Sequence, residues 1–248
     1  MSTGSTYPWK HGAPRTVFLT GASSGIGRDM AHRLAAEGAS IALFNRSAAD
    51  DVLQQLRGAA RHPEQRFATY RIDVSDARTI AAAVAQAAHD MGAPGLVIHS
   101  AGVLHNGPLQ AASAQDFERV IDINLKGSHH LAAAVLPHMQ AGSHLVFIAS
   151  LAALTGNFGY TAYCASKFGV RGLAEALRFE LKPQGIDVSL CCPGEILTPM
   201  VAQEKRGMHP VSAAMKAFAG SRTLDASVPV LLRGIARRRF EIVDGPRP

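Results

Sequence analysis

A short apolar run that breaks into three glycines and restarts as an amphipathic helix limits this chain more than any other stretch. It reads TVFLTGASSGIGRDMAHRLAAEG and covers residues 16–38. Residues 16–20 are too few for a helix and have the character of a buried strand. Gly21, Gly25 and Gly27 follow. Glycine permits the tight backbone that a strand-to-helix turn needs. A strand feeding straight into a helix is the start of a βα unit, and such units build parallel sheets.

The pattern repeats along the chain. Strand-like runs are expected at 16–20, 40–44, 66–72, 96–100, 144–149, 187–191 and 240–243. Helical patterns lie between them at 27–37, 48–61, 76–91, 114–140, 160–182 and 225–237. The strands are apolar throughout, as in a sheet buried on both faces. The expectation is one α/β domain over 15–248, a doubly wound Rossmann-type parallel sheet of seven strands with helices on both faces. Residues 1–14 are polar and turn-rich and read as a flexible tail. Residues 195–221 read as an irregular segment, and one of that length is expected to be a lid over a substrate.

Composition removes several classes. Hydrophobic residues make up 47% and charged residues 18%, which supports a large core and excludes disorder. The net charge is +6, yet the basic residues are scattered apart from Arg237–Arg239. A nucleic-acid-binding face needs clustering, so no nucleic-acid partner is expected. Salt-dependent binding of nucleic acid or an acidic membrane through that run is the competing reading. Arginines in the last turn of a helix also complement its dipole. Three cysteines, two of them adjacent, fit no disulfide framework, and no zinc-ligand spacing occurs, so no metal is expected. No apolar run reaches the roughly 18 residues that cross a bilayer, and residues 1–14 lack the apolar core of a signal peptide. The reading is a cytoplasmic protein without a transmembrane segment.

The glycine turn has a chemical use. A helix N-terminus offers free N–H groups and a positive dipole end to a pyrophosphate, and glycines let the anion approach. Gly21, Ser23, Ser24, Gly25, Ile26 and Gly27 are the candidates to hold it. The spacing, Thr20 and then Gly-x-x-x-Gly-x-Gly, resembles that of the short-chain dehydrogenase/reductase family. At the tip of the second strand a carboxylate would bond a ribose 2′-hydroxyl. Here Asn45, Arg46 and Ser47 stand there, and a guanidinium suits a 2′-phosphate. NADP(H) is therefore preferred over NAD(H), although Arg46 also reads as a solvated loop residue. Asp73 and Val74 resemble the family's adenine-contacting pair, and Asp73 equally suits a helix cap. In HSAG, residues 99–102, Ala101 and Gly102 match the family's pattern while His99 and Ser100 depart from it. Ser100, Ala101 and Gly102 are the candidates to approach a ribose.

The family's Ser–Tyr–x-x-x–Lys arrangement is met by Ser150, Tyr163 and Lys167. Reducing a ketone needs a hydride on carbon and a proton on oxygen. A free phenol has a pKa near 10, and a neighbouring ammonium favours its ionised form. Lys167 is thus expected to lower Tyr163 towards working pH, and Ser150 to stabilise charge on the carbonyl oxygen. The resemblance adds that Lys167 holds the nicotinamide ribose and that Asn124 supports a water in the proton relay. A satisfied buried asparagine is the alternative for Asn124. Pro193, Gly194, Ile196 and Thr198 resemble the family's nicotinamide-side loop.

The resemblance implies an NADP(H)-dependent oxidoreductase that interconverts a ketone and a secondary alcohol. The stretch 160–183 is also similar to the 3-ketodihydrosphingosine reductase branch, which implies an apolar, lipid-like 3-keto substrate. Met200, Met208, Met215 and Phe218 in the lid suit such a chain, or else pack on the protein's own core. A cofactor-binding sensor without turnover is a further alternative. Ala-rich helices at 114–140 and 160–182 imply a homodimer or homotetramer.

Overall fold

A computed structural model of the chain describes residues 5–47 and 49–244. Strands β1 (Thr16–Thr20), β2 (Ser40–Asn45), β3 (Phe67–Arg71), β4 (Leu96–His99), β5 (His144–Ile148) and β6 (Asp187–Pro193) form the main sheet, completed by the C-terminal strand Glu241–Asp244. All pairs are parallel, and the C-terminal strand closes the edge beside β6. From β1 the order runs outward to β2 and β3 on one side, and to β4, β5 and β6 on the other. The direction of winding thus reverses between β1 and β4. A doubly wound sheet binds its ligands in the crevice at that reversal.

Alternate residues of each strand feed opposite cores. Val17, Leu19, Ile41, Leu43 and Ile98 point to one side, and Phe18, Ala42, Phe44, Val97 and Phe147 to the other. The first core is covered by α1 (Gly25–Ala36) and α2 (Asp50–Gly58), together with the last helix, Leu224–Ala236. The second is covered by α3 (Ala77–Met91) and by two longer helical stretches described next. Each fully buried Leu, Ile or Phe stabilises the fold by about 1.5–3 kcal/mol. The expected helix at 48–61 starts at Ala48, outside the described residues.

The helix expected at 114–140 is two helices with a defect between them. α4 (Ala114–Ile121) runs into a π-helical turn at Asp122–Lys126, and α5 (Gly127–Val135) continues from it. A short 3-10 turn carrying Pro137 ends the helix before residue 140. α6 (Thr161–Leu181) matches its expected span closely.

Two segments depart from the sequence reading. The supposed tail is, from Ser5 on, seated on the first core. Tyr7 is buried, its ring meets Trp9 edge-on at 6.2 Å, Thr6 N–H donates to Glu37 at 2.9 Å, and Lys10 N–H donates to the Ala236 carbonyl at 3.0 Å. Two aromatic side chains supply the apolar area that the polar composition hides. The supposedly irregular 195–221 is ordered as β7 (Glu195–Ile196), α7 (Pro199–Glu204), α8 (Pro210–Ala219) and β8 (Ser221–Arg222), with β7 paired to β8. The last helix is then α9, and the C-terminal strand is β9. Within the arginine run, Arg237 and Arg239 are exposed and Arg238 is tied down. Arg238 donates to the carbonyls of Gly142 and Ser143 and pairs with Asp187 at 3.3 Å.

Candidate active site

Two cavities meet at the carboxyl edge of the sheet. The first, about 290 Å³, lies over the β1/β4 reversal. Gly21, Ser23, Ser24, Gly25, Ile26, Asn45, Arg46, Ser47, Asp73, Val74, Ser100, Ala101, Gly102 and Thr198 all line it. The second, about 790 Å³, lies between the sheet edge and the 195–221 segment, and Ser150, Pro193, Gly194, Ile196 and Thr198 line it. Tyr163 faces both.

The floor of the first cavity is shaped by close backbone approach. Gly21 has a φ of +74°, and a Cβ there would lie 2.6 Å from the Ala101 nitrogen. Gly27 does not line the cavity. A Cβ on it would meet the Gly21 carbonyl at 2.4 Å, so its part is to let α1 pack against the turn. α1 begins at Ser24 without a side-chain cap and without an acidic residue in its first turn. By contrast α3, α4 and α9 are capped by Asp76, Ser113 and Thr223. The leading N–H groups of α1 stay available to an anion. Asn45 is buried and its Oδ1 accepts from Ala22 N–H at 2.9 Å, which ties the turn to β2. Its Nδ2 is buried with no protein acceptor. These groups fit a dinucleotide, with unspent donors and a cradle that side chains would block.

Arg46 is exposed at the cavity rim, and its charge helps hold the Asp73 carboxyl below the usual range, after the Ser75 hydrogen bonds that dominate that shift. Asp73 accepts from both Ser75 N–H and its hydroxyl, at 2.9 and 2.6 Å. The α3 cap is Asp76. His99, where the sequence departs from the family pattern, turns into the second core. Burial pushes it down to about 3, with Lys167 adding to the effect, and its Nδ1 lies 2.8 Å from Thr20 Oγ1. It is a neutral structural residue.

Ser150 follows β5 and accepts from Ala152 N–H at 3.2 Å. Its hydroxyl faces the Tyr163 phenol closely enough to favour the ionised form. Tyr163 and Lys167 share one face of α6, and the Lys167 ammonium lies 5.5 Å from the Tyr163 ring centroid. Lys167 Nζ donates to the Ile148 carbonyl at 3.0 Å. The electrostatics differ from the sequence reading. Burial is the largest influence on Tyr163 and pushes the phenol up to about 12; the Ser150 hydroxyl opposes this and the Glu204 charge adds to it. Lys167 is not among the causes of that shift. Burial also brings Lys167 down to about 8. Desolvation outweighs the charge pair here because both groups sit in low-dielectric surroundings.

Asn124 is buried in the π turn and lines neither cavity. Its Oδ1 accepts from Val103 N–H at 2.8 Å, and its Nδ2 donates to the Val103 carbonyl and to Ser166 Oγ, at 2.9 and 3.0 Å. Ser166 in turn donates to the Tyr163 carbonyl at 2.7 Å. The side chain is satisfied, and it joins the loop after β4 to α6.

Sequence reasoning missed a polar cluster in the larger cavity. Glu195, Tyr160, Glu204 and Lys216 line it. Lys216 pairs with Glu195 at 2.6 Å and with Glu204, which also accepts from the Tyr160 hydroxyl. No pattern gives it away, because its three charges come from three different elements and the Tyr160 phenol from the start of a fourth. Of the expected lid residues, Met200, Met215 and Phe218 reach this cavity and Met208 does not. All three are exposed, Phe218 at 97%, so they are not packed into the protein's own core.

The doubly wound fold, the glycine turn and the Ser–Tyr–Lys edge define an oxidoreductase of the dinucleotide-binding α/β class. Residues 15–209 match the family model described as short chain dehydrogenase, and the chain belongs to that family. Its relatives include 3-dehydrosphinganine reductase TSC10B of Arabidopsis thaliana, 34% identical over 233 residues, 92% of this chain and 69% of that protein. The 3-ketodihydrosphingosine reductase of Mus musculus is 34% identical over 196 residues, 77% of this chain and 59% of that protein. The chain thus spans less than two thirds of the mouse protein's length. A short chain dehydrogenase/reductase from Burkholderia phymatum in complex with NAD superposes with a TM-score of 0.79 at 26% identity, covering 92% of this chain and 88% of that one. Among the described residues, no helix is long and apolar enough to cross a membrane.

Proposed function

We propose that the protein is an NADP(H)-dependent ketoreductase for an apolar, long-chain 3-keto substrate. The observation that carries this is the position of Tyr163, which faces the dinucleotide-like cleft on one side and the large cavity on the other. A bound nicotinamide would supply the hydride. Tyr163, kept protonated by burial, gives its proton to the ketone oxygen. Ser150 donates a hydrogen bond to the same oxygen as charge grows there. Lys167, which lines the same cleft 5.5 Å from the Tyr163 ring, would hold the ribose of the bound nicotinamide nucleotide. Asn124 acts as a positioning residue through Val103 and Ser166.

Arg46 at the rim, with no carboxylate at the tip of β2, supports NADP over NAD. The apolar wall of Leu104, Leu151, Val201, Met200 and Met215, together with the relatives' names, supports a long acyl chain. The segment 195–221 is the lid over it. Exposed Phe117 on α4 and Phe168 and Phe179 on α6 support pairing of two chains through these helices. The test is consumption of NADPH and NADH against ketones of graded chain length. NADPH oxidation that rises with chain length is expected. Equal rates with both cofactors and no chain-length dependence would overturn the proposal.

A further inference from the structure

A third cavity, about 370 Å³, lies at the amino edge of the sheet, the end opposite Tyr163. The first residues of three parallel strands line it: Thr16 of β1, Leu96 of β4 and His144 of β5. Trp9 and the stretch 11–15 form a second wall, and Arg238, just beyond α9, a third. Among the described residues no carboxylate lines it, whereas Arg15 and Arg238 do. Trp9 turns its indole N–H towards Glu37, which lies outside the cavity.

His144 Nδ1 and Arg238 Nε are buried and have no hydrogen-bond partner among the described residues. His144 is 1% exposed and the Arg238 side chain 9%. Their neighbours fix what each atom needs. Ser189 Oγ spends its one proton on the Arg239 carbonyl, at 2.5 Å. It therefore accepts from His144 Nε2–H, at 2.7 Å. The imidazole is thus the Nε2–H tautomer, and Nδ1 carries a lone pair that needs a donor. Burial first, and then the Arg238 charge, hold this ring well below its usual range, so it stays neutral.

Arg238 is the reverse case. Its Nη1 donates to the Ser143 carbonyl and to Asp187, and its Nη2 to the Gly142 carbonyl. Nε–H is left as a donor that needs an acceptor. The Asp187 side chain is 44% exposed, so solvent weakens its hold on the charge. Arg238 is also the one described residue other than glycine with a left-handed φ, 55°. Just past a helix end, glycine takes that conformation without strain. What the turn has in place of glycine is the guanidinium.

A ligand that satisfies both atoms donates to His144 and accepts from Arg238. The unbalanced arginines favour an anion, and an anion that still holds a proton meets both needs. Phosphate keeps a proton at neutral pH, and sulfate has none. We propose that His144 and Arg238 bind a protonated phosphate, either free phosphate or the end of a small phosphate monoester. The P–OH donates to Nδ1, the P–O⁻ accepts from Nε–H, and Arg15 adds positive charge. The proposal is independent of the reaction at Tyr163.

The test is calorimetric titration of the full chain saturated with nicotinamide dinucleotide, which keeps ions out of the α1 turn. At about pH 6 a monoester also retains a proton. Sodium phosphate is expected to bind roughly tenfold or more tightly than sodium sulfate, the size of one charge-assisted hydrogen bond. His144→Leu removes the lone pair while Ser189 keeps its bond to Arg239, and should bring phosphate down to the level of sulfate. Arg238→Gly, which the turn's backbone favours, should abolish binding of both ions. Glycerol phosphate binding more tightly than phosphate assigns the rest of the cavity to an organic group; equal or weaker binding assigns free phosphate. Equal affinity for phosphate and sulfate in the wild type, or a preference unmoved in both variants, overturns the proposal. So does the absence of phosphate binding, the result that a bridging water alone would give.

Discussion

The two cavities that meet at Tyr163 treat their polar groups in opposite ways. The cleft over β1 and β4 leaves donors unspent: an uncapped α1, and Asn45 Nδ2 without an acceptor. The cavity under the 195–221 segment spends its charges on itself, through Lys216, Glu195, Glu204 and Tyr160. The first offers free donors to an anionic ligand. The second discriminates, because a ligand must compete with bonds that already exist.

The largest expected break in this comparison comes from the residue the cavities share. Tyr163→Phe should lower turnover by about 10²–10⁴-fold, the usual range for a general acid. Dinucleotide affinity, measured by fluorescence titration, should stay within about twofold, because the cleft keeps its donors. Retained turnover would falsify the assignment of Tyr163.

The pH profile comes next. With Lys167 brought down to about 8, its cation is complete at low pH and is lost as pH rises through that value. Tyr163, pushed up to about 12, remains an acid throughout. Ketone reduction should therefore fall about tenfold per pH unit above 8. A flat kcat profile between pH 7 and 10 would detach Lys167 from the chemistry.

Arg46→Asp tests the cleft alone. It should shift the ratio of kcat/KM for NADPH over NADH by roughly tenfold or more towards NADH, the size of a lost charge-assisted contact plus repulsion. An unchanged ratio means the guanidinium points elsewhere. The smallest effect belongs to the lid. Met215→Ser should weaken long-chain ketones by about three- to fivefold, near 1 kcal/mol of partial apolar burial. Short-chain ketones should be spared, and equal losses across chain lengths would remove Met215 from the substrate wall.

The same division separates what the sequence discloses from what it hides. All seven strands could be read within two residues of their ends, most of them because they are continuous apolar runs between polar turns. The glycine turn and the Tyr163–Lys167 spacing were legible because both depend on neighbours in the chain. The lid was not. Its helices span 6 and 10 residues and each starts at a proline, too short for a helical period to stand out. The Glu195–Glu204–Lys216 cluster depends on the folding of that segment. The ionisation of Tyr163 was misread for a related reason: spacing fixes a neighbour, but burial is a property of the whole fold. Tyr7 and Trp9 were hidden as isolated aromatics in a polar stretch.

The π turn at Asp122–Lys126 gives the long helix two phases. Upstream of it and within it, the helix is phased to bring Asn124 to Val103; downstream, it is phased to bury Leu131 and Val135 against the sheet. Each helical residue turns the chain by about 100°. Removing one residue from the turn would restore a regular helix and align only one of these faces. A deletion here is therefore expected either to break the Asn124–Val103 bonds or to unseat Leu131 and Val135, whereas surface loops accept changes in length.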